Sequence, residues 1–258
     1  MSPPVAAIAD YDLVIPSQSP APGSVLDMPS QSPTPGSVLV MAKAPIAGRV
    51  KTRLAPLLGA QGCAALHKRL LARAVQIAVS ITPGSSFVAV EPWDERALVE
   101  PLVGSTASFI PQEGDQLGER MSNASRRIFD VRPDPLVIIG TDVPTLTPSL
   151  VGEALWKLQD GCDCVFGPAH DGGYYLVGLA RRTPALFSID PALWGGPEVL
   201  RASLDMARLH GLTVGFLPPL SDLDTEADAE TLADDPALPC DVAGILQWAL
   251  ARRAVAVP

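Results

Sequence analysis

Four cationic side chains follow the first strongly apolar run of the chain. The run Ser37-Val-Leu-Val-Met41 leads into a Pro/Gly-punctuated loop with Lys43, Arg49, Lys51 and Arg53, in a chain of net charge -9. In α/β folds, a loop of this kind between a strand and a helix binds phosphates, because main-chain N–H groups and basic side chains face the anion together. The loop matches neither the Walker A pattern nor G-x-G-x-x-G. It therefore predicts a nucleotide phosphate site of another type, with a solvated basic turn as the alternative.

Three aspartates are candidate ligands for a divalent cation. Asp142 follows the most apolar predicted strand and so lies at the sheet edge where open α/β folds bind ligands. Asp222 and Asp224 are two residues apart, so an extended backbone presents both carboxylates on one face. Such hard oxygen ligands suit Mg²⁺ or Mn²⁺. Alternatively, Asp142 only closes a strand–turn–helix link and Asp224 caps the next helix.

A glycine-rich turn supplies the candidate for proton transfer. Within the segment Gly167-Pro-Ala-His-Asp-Gly-Gly-Tyr-Tyr175, Asp171 is the candidate general base for an acceptor hydroxyl. Paired glycines either let a ligand approach the backbone or form a tight turn with positive φ. The candidate substrate contacts in this turn are His170, Gly172, Gly173 and Tyr174.

Arg120 is a weaker candidate for substrate binding. It belongs to Gly114-Asp-Gln-Leu-Gly-Glu-Arg-Met121. This segment either contacts substrate through the guanidinium group or is only a loop that enters a helix.

Strands and helices alternate after a tail of different composition. Residues 1–36 are rich in Pro and Ser and include most of a 13-residue tandem duplication, Pro16–Met28 and Pro29–Met41, so we expect a disordered tail, with Met28 as an alternative start. Apolar runs predict strands at 37–42, 87–90, 108–110, 136–139, 164–166, 174–177 and 213–217. Helices are predicted at 60–81, 94–103, 116–130, 148–159, 197–210, 225–233 and 240–252. Residues 37–258 are therefore expected to form one α/β domain, a mostly parallel sheet flanked by helices, with 164–166 and 174–177 antiparallel.

The composition disfavours several classes of function. The acidic pI of about 4.8 argues against a general nucleic-acid-binding surface. Cys162 and Cys164 form no C-x-x-C pair and are expected to be small apolar residues on one face of a strand. No leader pattern or membrane-spanning apolar run occurs, so a cytoplasmic protein without a membrane partner is expected. The absence of G-x-S-x-G disfavours a Ser-His-Asp hydrolase.

Taken in order, these motifs resemble a bacterial family of GT-A-fold, nucleotide-diphospho-sugar-transferase-like proteins. Its members are often linked to arsenosugar biosynthesis and were formerly called radical-SAM/selenodomain-associated transferases. The matching segments, within residues 37–233, are Lys43-Ala-Pro, Gly48-Arg-Val-Lys-Thr-Arg-Leu54, Gly118-Glu-Arg-Met121, Gly140-Thr-Asp-Val-Pro144, Gly167–Tyr175 and Asp222-Leu-Asp-Thr225. The resemblance implies that the first strand and basic loop hold the nucleotide and that Asp142 takes the place of a metal-binding acid. Thr-Asp-Val stands here where metal-dependent members of the fold commonly have Asp-x-Asp.

Three functions are compatible with these observations. The first is a metal-dependent glycosyltransferase with a nucleotide-diphosphate sugar as donor and a small-molecule acceptor. The second is a nucleotidyltransferase, resembling phospholactate guanylyltransferases, that joins an NTP to a phosphorylated small molecule and releases pyrophosphate. Arg49, Lys51 and Arg53 would suit the triphosphate of that second reaction. The third is a non-catalytic nucleotide-binding module.

Overall fold

A seven-stranded sheet forms the centre of the protein, flanked by helices. The computed structural model describes residues 36–256, and residues 1–35, which hold nearly all of the predicted tail, lie outside the described residues. The strands are β1 (Ser37–Lys43), β2 (Ser86–Glu91), β3 (Ser108–Pro111), β4 (Leu136–Ile139), β5 (Cys164–Pro168), β6 (Tyr174–Leu179) and β7 (Val214–Phe216). The helices are α1 (Ala55–Ile81), α2 (Glu100–Val103), α3 (Leu117–Phe129), α4 (Pro148–Gln159), α5 (Val199–Leu209), α6 (Glu226–Leu232) and α7 (Cys240–Ala256). The prediction of an α/β fold with a mostly parallel sheet is confirmed.

The order of the strands is β3-β2-β1-β4-β6-β5-β7, and only β6 runs against the others. β1 and β4 pair in parallel at the centre, as expected for strands with continuous apolar runs, Val38–Ala42 and Leu136–Ile139. β6 pairs antiparallel with both β4 and β5, which confirms the predicted hairpin. Since β5 ends at the same edge as the parallel strands, the turn that joins it to β6 lies at that edge.

Alternating side chains of the strands bury two apolar layers. Val38 and Val40 of β1 pack with residues of α1 and α4, whereas Leu39 packs with residues of α3 and α5. This alternation is the period of two that a strand imposes on its side chains. A third cluster joins the start of α1 to α6 and α7. Among residues 36–256, no helix combines the length and the apolar character needed to cross a membrane.

Two local predictions are wrong. Cys164 begins β5 and packs in the layer of α3, but Cys162 precedes the strand and packs against the layer of α1, so the two thiols do not share a face. The predicted helix over 94–103 is a 3-10 segment, Trp93–Leu98, followed by the single turn of α2. Two prolines, Pro92 and Pro101, punctuate this stretch and prevent a regular helix.

Two glycines let the segment 194–197 pack closely over the carboxyl edge of the sheet. A Cβ atom on Gly118 would overlap the ring of Trp194, and one on Gly172 would overlap the carbonyl oxygen of Pro197. Gly172 also has a φ of +93°, which side chains rarely adopt, and its carbonyl accepts a hydrogen bond from Leu200 N–H at 3.1 Å. Gly172 therefore permits the turn from β5 to β6 to pack closely against Pro197.

We expect Gly172→Ala to destabilise the protein more than a positive φ alone explains. The matched control is Gly211→Ala, since Gly211 has a φ of +63° but open space around its Cβ position. Backbone strain should cost each variant about 1–2 kcal/mol, and overlap with Pro197 should add about 1–3 kcal/mol in Gly172→Ala alone. Urea denaturation measures both values. Equal losses in the two variants would contradict the close packing.

Candidate active site

A cavity of about 550 Å³ opens at the carboxyl edge of the sheet, between the ends of β1, β2 and β4 and the turn from β5 to β6. Its size lies in the range of small-molecule sites, and the position is the usual one in open α/β sheets. The predicted site residues that line it are Lys43, Arg49, Lys51, Arg53, Arg120, Asp142, Asp171, Gly173, Tyr174, Asp222 and Asp224. The fold thus brings together all five of the segments singled out in the sequence. His170 and Gly172 lie outside the lining.

Lys51 lies at the centre of the acidic part of this cavity. Its Nζ forms an ion pair with Asp142, lies 3.6 Å from Oδ1 of Asp224 and donates a 2.7 Å hydrogen bond to the carbonyl of Leu223. The Lys51 side chain is only 2% exposed, and its backbone is left-handed, with φ of 50°. Leu223 also donates its N–H to the carbonyl of Asp142 at 2.8 Å. The lysine predicted to face a phosphate is therefore committed to carboxylates.

The surroundings shift the pKa values of Asp142 and Asp222 in opposite directions. Burial raises the pKa of Asp142, but the charge and hydrogen bond of Lys51 outweigh it and hold that pKa below its ordinary value. Burial, reinforced by the charges of Asp171 and Asp142, raises the pKa of Asp222 to about 7. Oδ2 of Asp222 is buried and has no hydrogen-bond partner among the described residues. The nearby charge of Lys51 lowers the pKa of Asp222 but does not outweigh these effects.

The donor set fits a Mg²⁺ or Mn²⁺ ion that is bound partly by substrate. Among residues 36–256, no three His, Cys, Asp or Glu side chains converge into a ready-made metal cage. The buried, unpartnered oxygen of Asp222 nevertheless needs a cation or donor. Mg²⁺ is commonly held by one or two carboxylates plus phosphate oxygens, which matches Asp222 with Asp142 or Asp224.

Helix α6 is not capped by Asp224, contrary to one sequence-based alternative. Thr225 is the N-cap, with its side chain accepting from Asp228 N–H, and the Asp228 carboxylate in turn accepts from Thr225 N–H at 2.7 Å. Since this capping box satisfies the helix end, the Asp224 side chain remains available to the cavity. It lies 3.4 Å from the exposed guanidinium group of Arg53.

Asp171 is held by its own turn at the edge of the cavity. Its Oδ1 accepts a 2.9 Å hydrogen bond from Gly173 N–H, and its side chain makes no other hydrogen bond with the described residues. His170 is exposed and only its backbone is engaged, by Leu220, so it forms no wall of the cavity. Tyr174 lines the cavity, but its ring packs edge-on against Phe166 and its hydroxyl is buried. Asp171 is therefore the group in this turn with a free oxygen for proton transfer.

Another part of the cavity lining contains the predicted Arg120 and two polar residues that the sequence analysis did not name, Glu91 and Gln112. Arg120 forms a 2.9 Å ion pair with Glu91 and donates through Nε to the carbonyl of Gly114. Gln112 donates both Nε2 hydrogens to the strand-end carbonyls of Ala42 and Ala89, so Oε1 remains as an acceptor. Glu91 ends β2 and Gln112 directly follows β3, and these positions at the carboxyl edge of the sheet could have identified both as site residues.

Lys43 and Arg49 are the uncommitted cations at the mouth of the cavity. Both residues are exposed, and their side chains make no ion pair with any described residue.

The Lys43 carbonyl lies 3.0 Å from Nε2 of His67, a buried histidine of α1 that the sequence analysis also did not name. Burial lowers the pKa of His67, which favours the neutral ring.

Comparisons with known proteins agree with this architecture. A family model described as "Uncharacterized protein conserved in bacteria (DUF2064)" matches residues 63–192, half of the chain. A proposed nucleotide-diphospho-sugar transferase from Desulfovibrio desulfuricans G20 has 30% sequence identity and a TM-score of 0.72, over 84% of this chain and 95% of that chain. A cytidylyltransferase from Leptospira borgpetersenii serovar Hardjo-bovis (strain JB197) shares the fold, at 11% identity and a TM-score of 0.53, over 86% and 96% of the two chains. No curated protein matches the sequence. The chain belongs to the bacterial DUF2064 family.

Proposed function

We propose that the protein is a transferase that moves a glycosyl group from a nucleotide-diphosphate sugar to a small-molecule acceptor, with Mg²⁺ or Mn²⁺. The observation that carries this proposal is a cavity whose lining combines the cations of the basic loop with four aspartates, Asp142, Asp171, Asp222 and Asp224. The solved relative from Desulfovibrio desulfuricans, for which nucleotide-diphospho-sugar transfer is proposed, supports this donor class.

The donor diphosphate would lie at the loop after β1. Lys43 and Arg49 are exposed at this mouth and have no competing carboxylate among the described residues, so their charges are available to an anion. Arg53, which is 70% exposed, would contribute as a third cation. Lys51 would not contact the diphosphate directly but would position the carboxylates of Asp142 and Asp224.

Asp222, together with Asp142 or Asp224, would hold the divalent cation. When bound, the cation would supply positive charge that offsets the charge developing on the leaving group. The chain's own contribution is to line one cavity, of a volume usual for small-molecule sites, with both hard oxygen ligands and exposed cations.

Asp171 would act as the general base on the acceptor. The acceptor hydroxyl gives its proton to the free carboxylate oxygen, its oxygen forms the new bond to the anomeric carbon, and the bond from that carbon to the diphosphate breaks. The nucleoside diphosphate leaves with the electron pair. Gly173 N–H fixes the other Asp171 oxygen, which keeps the base oriented toward the cavity.

Nucleotidyl transfer is the second candidate, favoured by one feature of the site. Asp142 and Asp222 approach the cavity from two separate segments, after β4 and before α6, and such a pair could serve the phosphates of an NTP. The acceptor phosphate would then attack the α-phosphorus and release pyrophosphate.

The arsenosugar-linked branch of the family and the cytoplasmic location remain predictions from the sequence.

We expect product analysis to separate the two reactions. Panels of nucleotide sugars and NTPs, each with candidate acceptors and with Mg²⁺, Mn²⁺ or EDTA, should yield a nucleoside diphosphate from one nucleotide sugar. EDTA should abolish that release, because the diphosphate loses its counter-charge. Pyrophosphate release from an NTP would instead support nucleotidyl transfer. Turnover that persists unchanged in EDTA would contradict the metal requirement.

Asp171→Asn should lower kcat for the acceptor reaction by about 10²–10⁴-fold, because the amide cannot take the proton. Asn retains the oxygen that Gly173 N–H needs, so the turn should persist and the donor KM should change little. The control is Asp190→Asn, since Asp190 makes the equivalent 2.9 Å contact to Ala192 N–H outside the cavity. Steady-state kinetics measures both variants, and an Asp171→Asn enzyme of normal kcat would refute the role of base.

A further inference from the structure

Lys51 is a buried cation at the point where the acidic segments meet. Its side chain is 2% exposed, and its Nζ contacts Asp142, Asp224 and the carbonyl of Leu223. A buried ammonium group needs such partners, because loss of its water is costly. The contacts come from two segments distant in sequence, so Lys51 joins them electrostatically.

The partners of Lys51 are groups that a divalent cation would also use. Carboxylates and a main-chain carbonyl are oxygen ligands of the type that hard cations prefer. One ammonium charge already compensates Asp142 and Asp224, whereas Asp222 Oδ2 has no partner among the described residues. A second cation that enters the nucleotide-free site would meet the repulsion of the ammonium at close range.

We propose that Lys51 is a resident cation that sets the affinity of this site for divalent ions. In the nucleotide-free protein it occupies Asp142 and Asp224, so the affinity for Mg²⁺ or Mn²⁺ is low. Phosphate oxygens of a bound nucleotide would supply the further ligands that make metal binding favourable, which couples metal to nucleotide. This inference rests on the proposed function only in taking a divalent cation as the partner of these carboxylates.

The test is Mn²⁺ binding to the full chain at pH 7.5 without nucleotide, measured by electron paramagnetic resonance and calorimetry. Lys51→Met should bind Mn²⁺ roughly tenfold more tightly than the wild type or better, because the repelling charge is gone and the carboxylates are free. Mn²⁺ should also raise the Tm of Lys51→Met and leave that of the wild type nearly unchanged. Unaltered or weaker Mn²⁺ binding by Lys51→Met would overturn the proposal.

Arg53→Met is the matched control, since Arg53 also contacts Asp224 but is 70% exposed. Its Mn²⁺ affinity should stay within about twofold of the wild type, because solvent screens an exposed charge. If Lys51→Met folds only when Mn²⁺ is present, the ion has replaced the ammonium and the proposal holds. If it folds in neither buffer, Lys51→Gln decides, because Gln keeps a donor for the Leu223 carbonyl but carries no charge. That variant should also bind Mn²⁺ more tightly than the wild type, and unaltered or weaker binding overturns the proposal.

These measurements contain no nucleotide or acceptor, so they are independent of the transfer reaction. Absence of turnover with every donor would reject the proposed function and leave the Lys51 result standing. Normal turnover together with unchanged Mn²⁺ binding in Lys51→Met would reject the role of Lys51 alone.

Discussion

The ion pair between the buried ammonium of Lys51 and the half-exposed carboxylate of Asp142 is the interaction on which the arrangement of the site depends. The ammonium would not be stable alone in this position, because an uncompensated buried charge costs several kcal/mol. The backbone of Leu223 links both residues, since its carbonyl accepts a hydrogen bond from Lys51 and its N–H donates one to the carbonyl of Asp142. Three chain segments, after β1, after β4 and before α6, are thereby held in one register. Lys51 is also the one non-glycine residue with a positive φ among residues 36–256, and these contacts help to offset the cost of that backbone conformation.

The sheet topology determines which chemical groups can meet at that ion pair. Parallel strands direct Lys43, Glu91 and Asp142 toward one edge, because their carboxyl ends coincide. The reversal at β6 adds the turn with Asp171 to the same edge, since β5 ends there and β6 begins there. A base, a set of acids and a set of cations therefore surround one cavity although they are far apart in sequence.

The cations of the basic loop divide into two groups with different roles. Lys43 and Arg49 are exposed and uncommitted among the described residues, as an anion site requires. Lys51 is buried against carboxylates and therefore organises the acidic side. All were treated alike in the sequence reading, because charge and spacing do not reveal which side chain turns inward. Glu91 and Gln112 were not predicted for a related reason: they belong to no motif, and only the pairing of β2 with β3 brings them into the cavity that Arg120 also lines.

The sequence by itself determined the α/β class, nearly all strands and helices, and the segments that would surround the site, because apolar periodicity and Gly/Pro punctuation are local signals. The capping of α6 by Thr225 also lies in the local pattern, where Thr225 and Asp228 have capping-box spacing. Only the tertiary structure decided that Lys51 is paired with Asp142, that Oδ2 of Asp222 has no hydrogen-bond partner among residues 36–256 and that Gly172 serves packing against Pro197. These outcomes depend on burial and on contacts between distant segments, which residue type and spacing do not encode.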